Sequence, residues 1–175
     1  MNEKSVILIG MPGAGKSTTG VLLAKRLAKG FIDTDLLIQQ RVDMTLQDYL
    51  DRNGYIALRR LEEEVLLSEG LENAIVATGG SVVYSEAAMN RLAGLGPRVW
   101  LKIALSSMKE RITNQATRGL ASQPGATLDT IFAERSSLYE RYADITVAAD
   151  SGSAEKVVQD IVEHLIQIDD FGTGH

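Results

Sequence analysis

Eight residues near the N-terminus, Gly10-Met11-Pro12-Gly13-Ala14-Gly15-Lys16-Ser17, follow the pattern G-x-x-x-x-G-K-[ST]. Each fixed position in that pattern has a use against phosphate oxygens. Gly13 and Gly15 let the backbone curl so that successive N–H groups point inward, and a helix opening at Lys16 adds the positive end of its dipole. Ala14 and Thr18 complete the stretch expected to wrap the nucleotide. Lys16 is placed to reach the β- and γ-phosphates, and the Ser17 hydroxyl to ligate Mg²⁺. The context the pattern needs is present, because Ser5-Val6-Ile7-Leu8-Ile9 before it reads as a strand and the residues after it as a helix. The same stretch fails as a dinucleotide fingerprint, since Thr18 stands where a third Gly or Ala is required. ATP or GTP with Mg²⁺ is the implied cofactor pair.

The rest of the chain narrows the job. No guanine-reading N-K-x-D occurs, and the apolar run Ile75-Val76-Ala77-Thr78 ends in Gly79-Gly80 where a large ATPase would carry a metal-holding acid. An acidic pair lies elsewhere, in Phe31-Ile32-Asp33-Thr34-Asp35. It reads as the C-terminal end of a short strand, the edge at which open parallel sheets bind ligands. Alternation along a strand predicts that Asp33 and Asp35 face one cleft, one serving Mg²⁺ and the other accepting a proton from a hydroxyl acceptor. The competing reading is an N-cap for a helix starting near Leu36.

Arg59 and Arg60 precede Glu62-Glu63-Glu64, so Arg59–Glu63 and Arg60–Glu64 could form a surface i,i+4 ladder, with the glutamates on a solvated face. Alternatively one arginine grips an anionic acceptor, since a guanidinium matches a carboxylate in two parallel hydrogen bonds. Arg118 lies in Ala116-Thr-Arg-Gly-Leu-Ala-Ser-Gln-Pro-Gly-Ala126, a small, polar, Gly/Pro-marked stretch expected to form a mobile lid. From there it could offset charge on a transferring phosphoryl group. Arg135, in A-E-R-S-S-L-Y-E-R-Y, reads by itself as a helix-surface charge, and Trp100 as packing.

The elements that must position these residues follow from the pattern of apolar runs. Strands are predicted at Ser5–Ile9, Phe31–Asp33, Ala74–Thr78, Arg98–Ala104 and Ile145–Ala148, separated by amphipathic segments. Lys16–Lys29 reads as a helix with Val21, Leu22, Ala24, Leu27 and Ala28 inward. Thr45 is a plausible N-cap for a helix ending near Asn53-Gly54, and a longer helix runs from about Tyr55 to Glu69. Helices are also expected from Ser85, from Ser106 or Ser107 to about Asn114, over Thr127–Tyr139 and over Ala154–Ile166. Five short strands separated by helices imply one three-layer α/β domain over residues 1–168, its sheet parallel and covered on both faces, with 169–175 a flexible tail. The chain has 175 residues, 45% hydrophobic and 23% charged, with a net charge of −5 and no cysteine. That balance argues against a general nucleic-acid binder and excludes disulfide frameworks and thiolate metal sites. No apolar run reaches a membrane span, and the opening residues are too short for a signal peptide, so a cytoplasmic protein is expected.

Taken in order, G-M-P-G-A-G-K-S-T, F-I-D-T-D, L-R-R-L-E, A-T-G-G, the lid arginine and E-R-x-x-L-Y make the chain resemble shikimate kinases of the nucleoside-monophosphate-kinase-like P-loop fold, from about Val6 to Leu165. The resemblance implies strand order 2-3-1-4-5, an acceptor-binding insert over about 34–70 and a lid over about 114–126. It implies transfer of the ATP γ-phosphoryl group to the 3-hydroxyl of shikimate. Asp33 would hold Mg²⁺ with Ser17, while Asp35 would bind ring hydroxyls and serve as general base. Arg59 and Arg135 would clamp the acceptor's carboxylate, and Gly79 and Gly80 would contact it through backbone N–H. Arg111 would lie against the adenine and Arg118 over the phosphoryl group. The expected partner is therefore a small molecule, with no nucleic acid and no membrane, and the expected state a monomer. The sequence departs from the family pattern at Ser81, usually a third glycine, at Gly119, usually proline, at Gln39, often acidic, and at Ser151-Gly152-Ser153, where an adenine-side arginine is common. The alternatives are a kinase for another hydroxy acid such as gluconate, or an ATP-binding regulatory module without acceptor turnover.

Overall fold

The computed structural model describes residues 4–114 and 120–168, with only the backbone of residues 113 and 114. Arg118, Gly119 and the expected tail at 169–175 lie outside the described residues. The strands are β1 (Val6–Ile9), β2 (Gly30–Asp33), β3 (Ala74–Ala77), β4 (Arg98–Lys102) and β5 (Ile145–Ala148). They form one parallel sheet in the order β2-β3-β1-β4-β5. Its register pairs Val6 with Ile75 and Ile7 with Arg98. Every residue of β1 and β3 is buried, which is why both read as unbroken apolar runs: a parallel sheet covered on both faces leaves a central strand no polar side. The edge strand β5 alternates buried and exposed residues.

The helices are α1 (Lys16–Leu27), α2 (Thr34–Val42), α3 (Leu46–Ser68), α4 (Glu86–Leu95), α5 (Leu105–Asn114), α6 (Leu128–Tyr142) and α7 (Ala154–Gln167). Helices α1 and α7 pack together over the sheet, while α3, α4 and α6 meet around the 3-10 turn Val82–Tyr84. Side-chain caps set the starts of several helices, with Thr45, Ser85, Thr127 and Ser153 each accepting a backbone N–H from three residues on. The break expected near Asn53-Gly54 is a kink inside α3, where Gly54 has φ 82° and ψ 169°. A second apolar cluster, with Ile38, Leu58, Leu61 and Val65 at its centre, glues α2 to α3 apart from the main core. No helix among the described residues is long and apolar enough to cross a membrane.

One inward face needs correcting. Val21 and Ala28 are exposed, while α1 buries Ala24 as expected and, besides it, Thr19, Gly20 and Leu23. Gly20 is selected by close packing, because a Cβ there would stand 2.5 Å from the Phe31 ring.

Candidate active site

The loops that follow β1, β2 and β3 leave the same edge of three adjacent strands, and each brings one of the predicted groups. After β1, Gly13 and Gly15 take φ of 81° and 85°, a left-handed region that L side chains rarely adopt. The loop delivers the chain into α1, whose N-cap is Gly15 with no side-chain cap, so the first turn presents its backbone N–H groups unblocked by any side chain. Lys16 Nζ donates to the carbonyls of Gly10 (2.7 Å) and Met11 (2.8 Å), inside its own loop. Removal from water pushes the Lys16 ammonium down to about 8, with Asp35 and Asp33 opposing and Arg135 adding to the fall. Ala14 is buried, and its N–H donates to Met11 O at 3.0 Å, so it braces the loop from within. Arg111 also backs the loop, donating from Nη1 to Gly13 O at 2.6 Å.

After β2 the chain turns at once into α2, which corrects the strand-alternation reading of the acidic pair. Asp33 ends the strand and caps the helix, its Oδ1 accepting the Asp35 N–H at 3.0 Å, and Asp35 lies in the first helical turn. The two carboxylates share a cleft because a capping turn folds one back toward the other. Asp33 Oδ2 accepts from Ser17 Oγ at 2.6 Å. Two hard oxygens at that separation, on the open side of the cleft, suit a magnesium ion completed by water and phosphate oxygens.

After β3, Thr78 donates from Oγ1 to Leu8 O at 2.9 Å, and the Gly79 N–H donates to Thr34 Oγ1 at 3.2 Å. The Gly79 amide is therefore engaged with α2, and this part of the glycine strip acts by close approach. A Cβ on Gly79 would stand 2.7 Å from Glu62 Oε1 and 3.1 Å from Asp35 Oδ1, and one on Gly80 2.8 Å from Pro12 Cδ and 2.9 Å from Arg135 Nη1. Gly80 is thus the point where the phosphate loop, the strip and α6 meet.

Arg135 is only 1% exposed, far from the surface charge its own helix suggests. Its Nη2 donates to Ala121 O at 3.3 Å, and Arg59 Nε donates to the same carbonyl at 2.9 Å. The Arg59 guanidinium lies 3.7 Å from the centre of the Tyr84 ring, so the surface ladder with Glu63 gives way to stacking. A cavity of about 750 Å³ joins these groups. The phosphate-loop residues Gly13, Gly15, Lys16, Ser17 and Thr18 line it together with Asp33, Asp35, Gly79, Gly80 and Arg135. Arg59 lines a smaller neighbouring cavity of about 290 Å³ instead.

The sequence pattern of the shikimate kinase family matches residues 12–166. The chain belongs to the shikimate kinase family. It is 34% identical to a shikimate kinase of Sulfurihydrogenibium sp. (strain YO3AOP1) over 91% of its own length and 96% of that protein's. Among solved structures, the shikimate kinase of Acinetobacter baumannii in complex with shikimate superposes with a TM-score of 0.85 at 25% identity, covering 95% of this chain and 94% of that one. The Aquifex aeolicus shikimate kinase superposes with a TM-score of 0.81 at 32% identity, over 96% and 99% of the two chains.

In this shikimate kinase family member, sequence reasoning missed Glu62 and Tyr139 as parts of the site, and marked Ser81 only as a departure from the family's glycine strip. Glu62, expected on a solvated face, is 7% exposed and lines both cavities. Burial pushes its carboxyl up to about 7; Asp35 adds to the rise, while a hydrogen bond from Ser81 and the charges of Arg135 and Arg59 oppose it. The signal was present in the helical phase, since Leu58, Glu62 and Leu66 recur every fourth residue on the buried stripe of α3. Ser81, 4% exposed, donates its hydroxyl hydrogen bond to Glu62 Oε2. Tyr139 is fully buried, stacks at 5.9 Å against Trp100 and donates to Gly80 O beneath the strip.

Proposed function

We propose that this chain transfers the γ-phosphoryl group of ATP to the 3-hydroxyl of shikimate. The observation that carries the reading is that one cavity is lined both by the phosphate-binding loop and by Asp35 and the buried Arg135. A triphosphate laid on the loop directs its γ-group toward Asp35, and an acceptor held at the Arg135 end brings a hydroxyl to the same place.

Lys16 and the first-turn amides of α1 hold the triphosphate and spread its charge. Asp35 orients the acceptor hydroxyl and takes its proton as the oxygen bonds to the γ-phosphorus; the bond to the bridging oxygen breaks in line, and ADP leaves. Arg135 and Arg59, converging on Ala121 O from 14 and 62 residues away, supply guanidiniums for the acceptor's carboxylate. Gly79 and Gly80 keep that end open. Ser17 and Asp33 would hold Mg²⁺, which supplies positive charge against the phosphate oxygens when bound. Arg111 backs the loop near the base, and Arg118 keeps the role the resemblance implies, opposite the transferring group. A monomer working in the cytoplasm belongs to the same reading and rests on the sequence.

Coupled ADP release with Mg²⁺-ATP, alone and with shikimate, gluconate, quinate or AMP, tests it. Saturable turnover is expected with shikimate. Turnover with another acid and not with shikimate would keep the kinase and replace its acceptor, and ATP binding without stimulated turnover would favour a regulatory module.

A further inference from the structure

Glu62 sits three residues after Arg59 on α3, a spacing at which a glutamate and an arginine are neighbours on a helix face. In a buried setting such a pair attracts strongly, and a carboxylate seated in the guanidinium fork fills the place a ligand carboxylate would take. Yet among the described residues Glu62 is ion-paired with neither Arg59 nor Arg135. Its Oε2 accepts the Ser81 hydroxyl, and its Oε1 lies on the Gly79 side, 2.7 Å from where a Cβ on that glycine would stand. The arginines meanwhile donate to Ala121 O, with Arg59 stacked on Tyr84. Ser81 itself lies in the wall shared by the two cavities, between the Arg135 side and the Arg59 side.

We propose that Ser81 is a positioning residue for the acceptor: its hydroxyl ties Glu62 back toward the glycine strip and keeps the Arg59 and Arg135 guanidiniums open to an incoming carboxylate. The inference rests on the reading of those two arginines as the acceptor's clamp. The groups facing Glu62 are Asp35 from α2, Arg59 from its own helix, Arg135 from α6 and Ser81 from the segment after β3. Two of the three charged neighbours are cationic, so a Glu62 released by loss of the Ser81 hydroxyl turns toward a guanidinium and away from Asp35. It then competes with the acceptor. A neutral Glu62 does not.

The test is steady-state kinetics with shikimate varied at saturating Mg²⁺-ATP, for the wild type, Ser81→Ala, Ser81→Thr, Glu62→Gln and the Ser81→Ala/Glu62→Gln double variant. Ser81→Ala is expected to raise the shikimate KM about tenfold while kcat stays within about twofold, the signature of lost acceptor binding. Ser81→Thr, which keeps the hydroxyl, retains the wild-type KM. In the Glu62→Gln background the same Ser81→Ala step leaves KM unchanged, because the amide carries no charge to compete. An unchanged KM in Ser81→Ala, or an equal rise in both backgrounds, overturns the proposal. If Ser81→Ala lowers the thermal midpoint, Ser81→Gly is read in its place, because it removes the hydroxyl without setting a methyl in the wall. Wild-type turnover is measured first in the same assay. Its absence with shikimate removes the proposed function, whereas turnover with an unmoved KM removes only the role of Ser81.

Discussion

Lys16 Nζ is anchored on two carbonyls of its own loop, so Lys16→Ala removes a charge and a brace together. Turnover in coupled ADP release is expected to fall to background, and near-normal turnover would remove the phosphate cradle from the mechanism. Arg59 and Arg135 share a carbonyl partner but differ in burial: Arg135 is enclosed while Arg59 is half-buried. Arg59→Ala is therefore the cleaner probe, and it should raise the shikimate KM by at least about tenfold, since breaking a charge-paired contact costs several kcal/mol. An unchanged KM would exclude Arg59 from the clamp. Glu62 allows a test of stability apart from activity. Its carboxyl, pushed up from 4.5 to about 7, holds a proton in the folded chain over a range where the unfolded chain has released it. The folded state binds more protons there, so this group's contribution to stability falls as pH rises from 4.5 to about 7 and is level above. Glu62→Gln should remove that decline, which denaturation midpoints across the range would measure; identical slopes in the two proteins would contradict the burial argument.

At the scale of the element, the glycine strip after β3 has little room to move. Gly80 lies against Pro12 of one loop and Arg135 of α6, and its carbonyl is held from below by Tyr139. A methyl there meets a proline ring that cannot rotate away, so either the phosphate loop or the guanidinium must move. Gly80→Ala should lower kcat/KM at least about hundredfold, the scale of a misplacement near 1 Å. Wild-type kinetics in that variant would show that the strip yields. The acidic pair teaches a related lesson about elements: Asp33 and Asp35 meet through a helix cap, and the strand pleat has no part in it. Both expectations for F-I-D-T-D, cleft-facing pair and N-cap, describe the same turn.

At the scale of the molecule, the order β2-β3-β1 stacks three loop exits side by side, so phosphate, hydroxyl and carboxylate binding are neighbours although their residues span Gly13 to Arg135. Ligands that bind only the folded chain stabilise it by mass action. Mg²⁺-ATP and shikimate should each raise the thermal midpoint, by about 5–10 °C at a hundredfold excess over Kd for a chain of this length. In Arg59→Ala the shikimate increment should collapse and the nucleotide increment persist. Loss of both would deny that the nucleotide and the acceptor bind separately, and loss of neither would exclude Arg59 from the clamp.

What the sequence determined by itself is what short-range chemistry settles. The phosphate loop was legible because its glycines, lysine and serine act on one another within eight residues, and the central strands because burial on both faces leaves no polar position. The break at Gly54 and the caps at Thr45 and Ser85 are local in the same sense. Only the tertiary structure decided what the enclosed charges meet. The phase of α3, carried by Leu58 and Leu66, turns Glu62 inward and Glu64 to solvent, but it names no partner for Glu62. Among the described residues Arg135 is one of the largest fully buried side chains, donating to a loop carbonyl at Ala121, and Ser81 finds its acceptor 19 residues back. Those pairings form when packed helices bring distant segments together, and no periodicity within either segment encodes them.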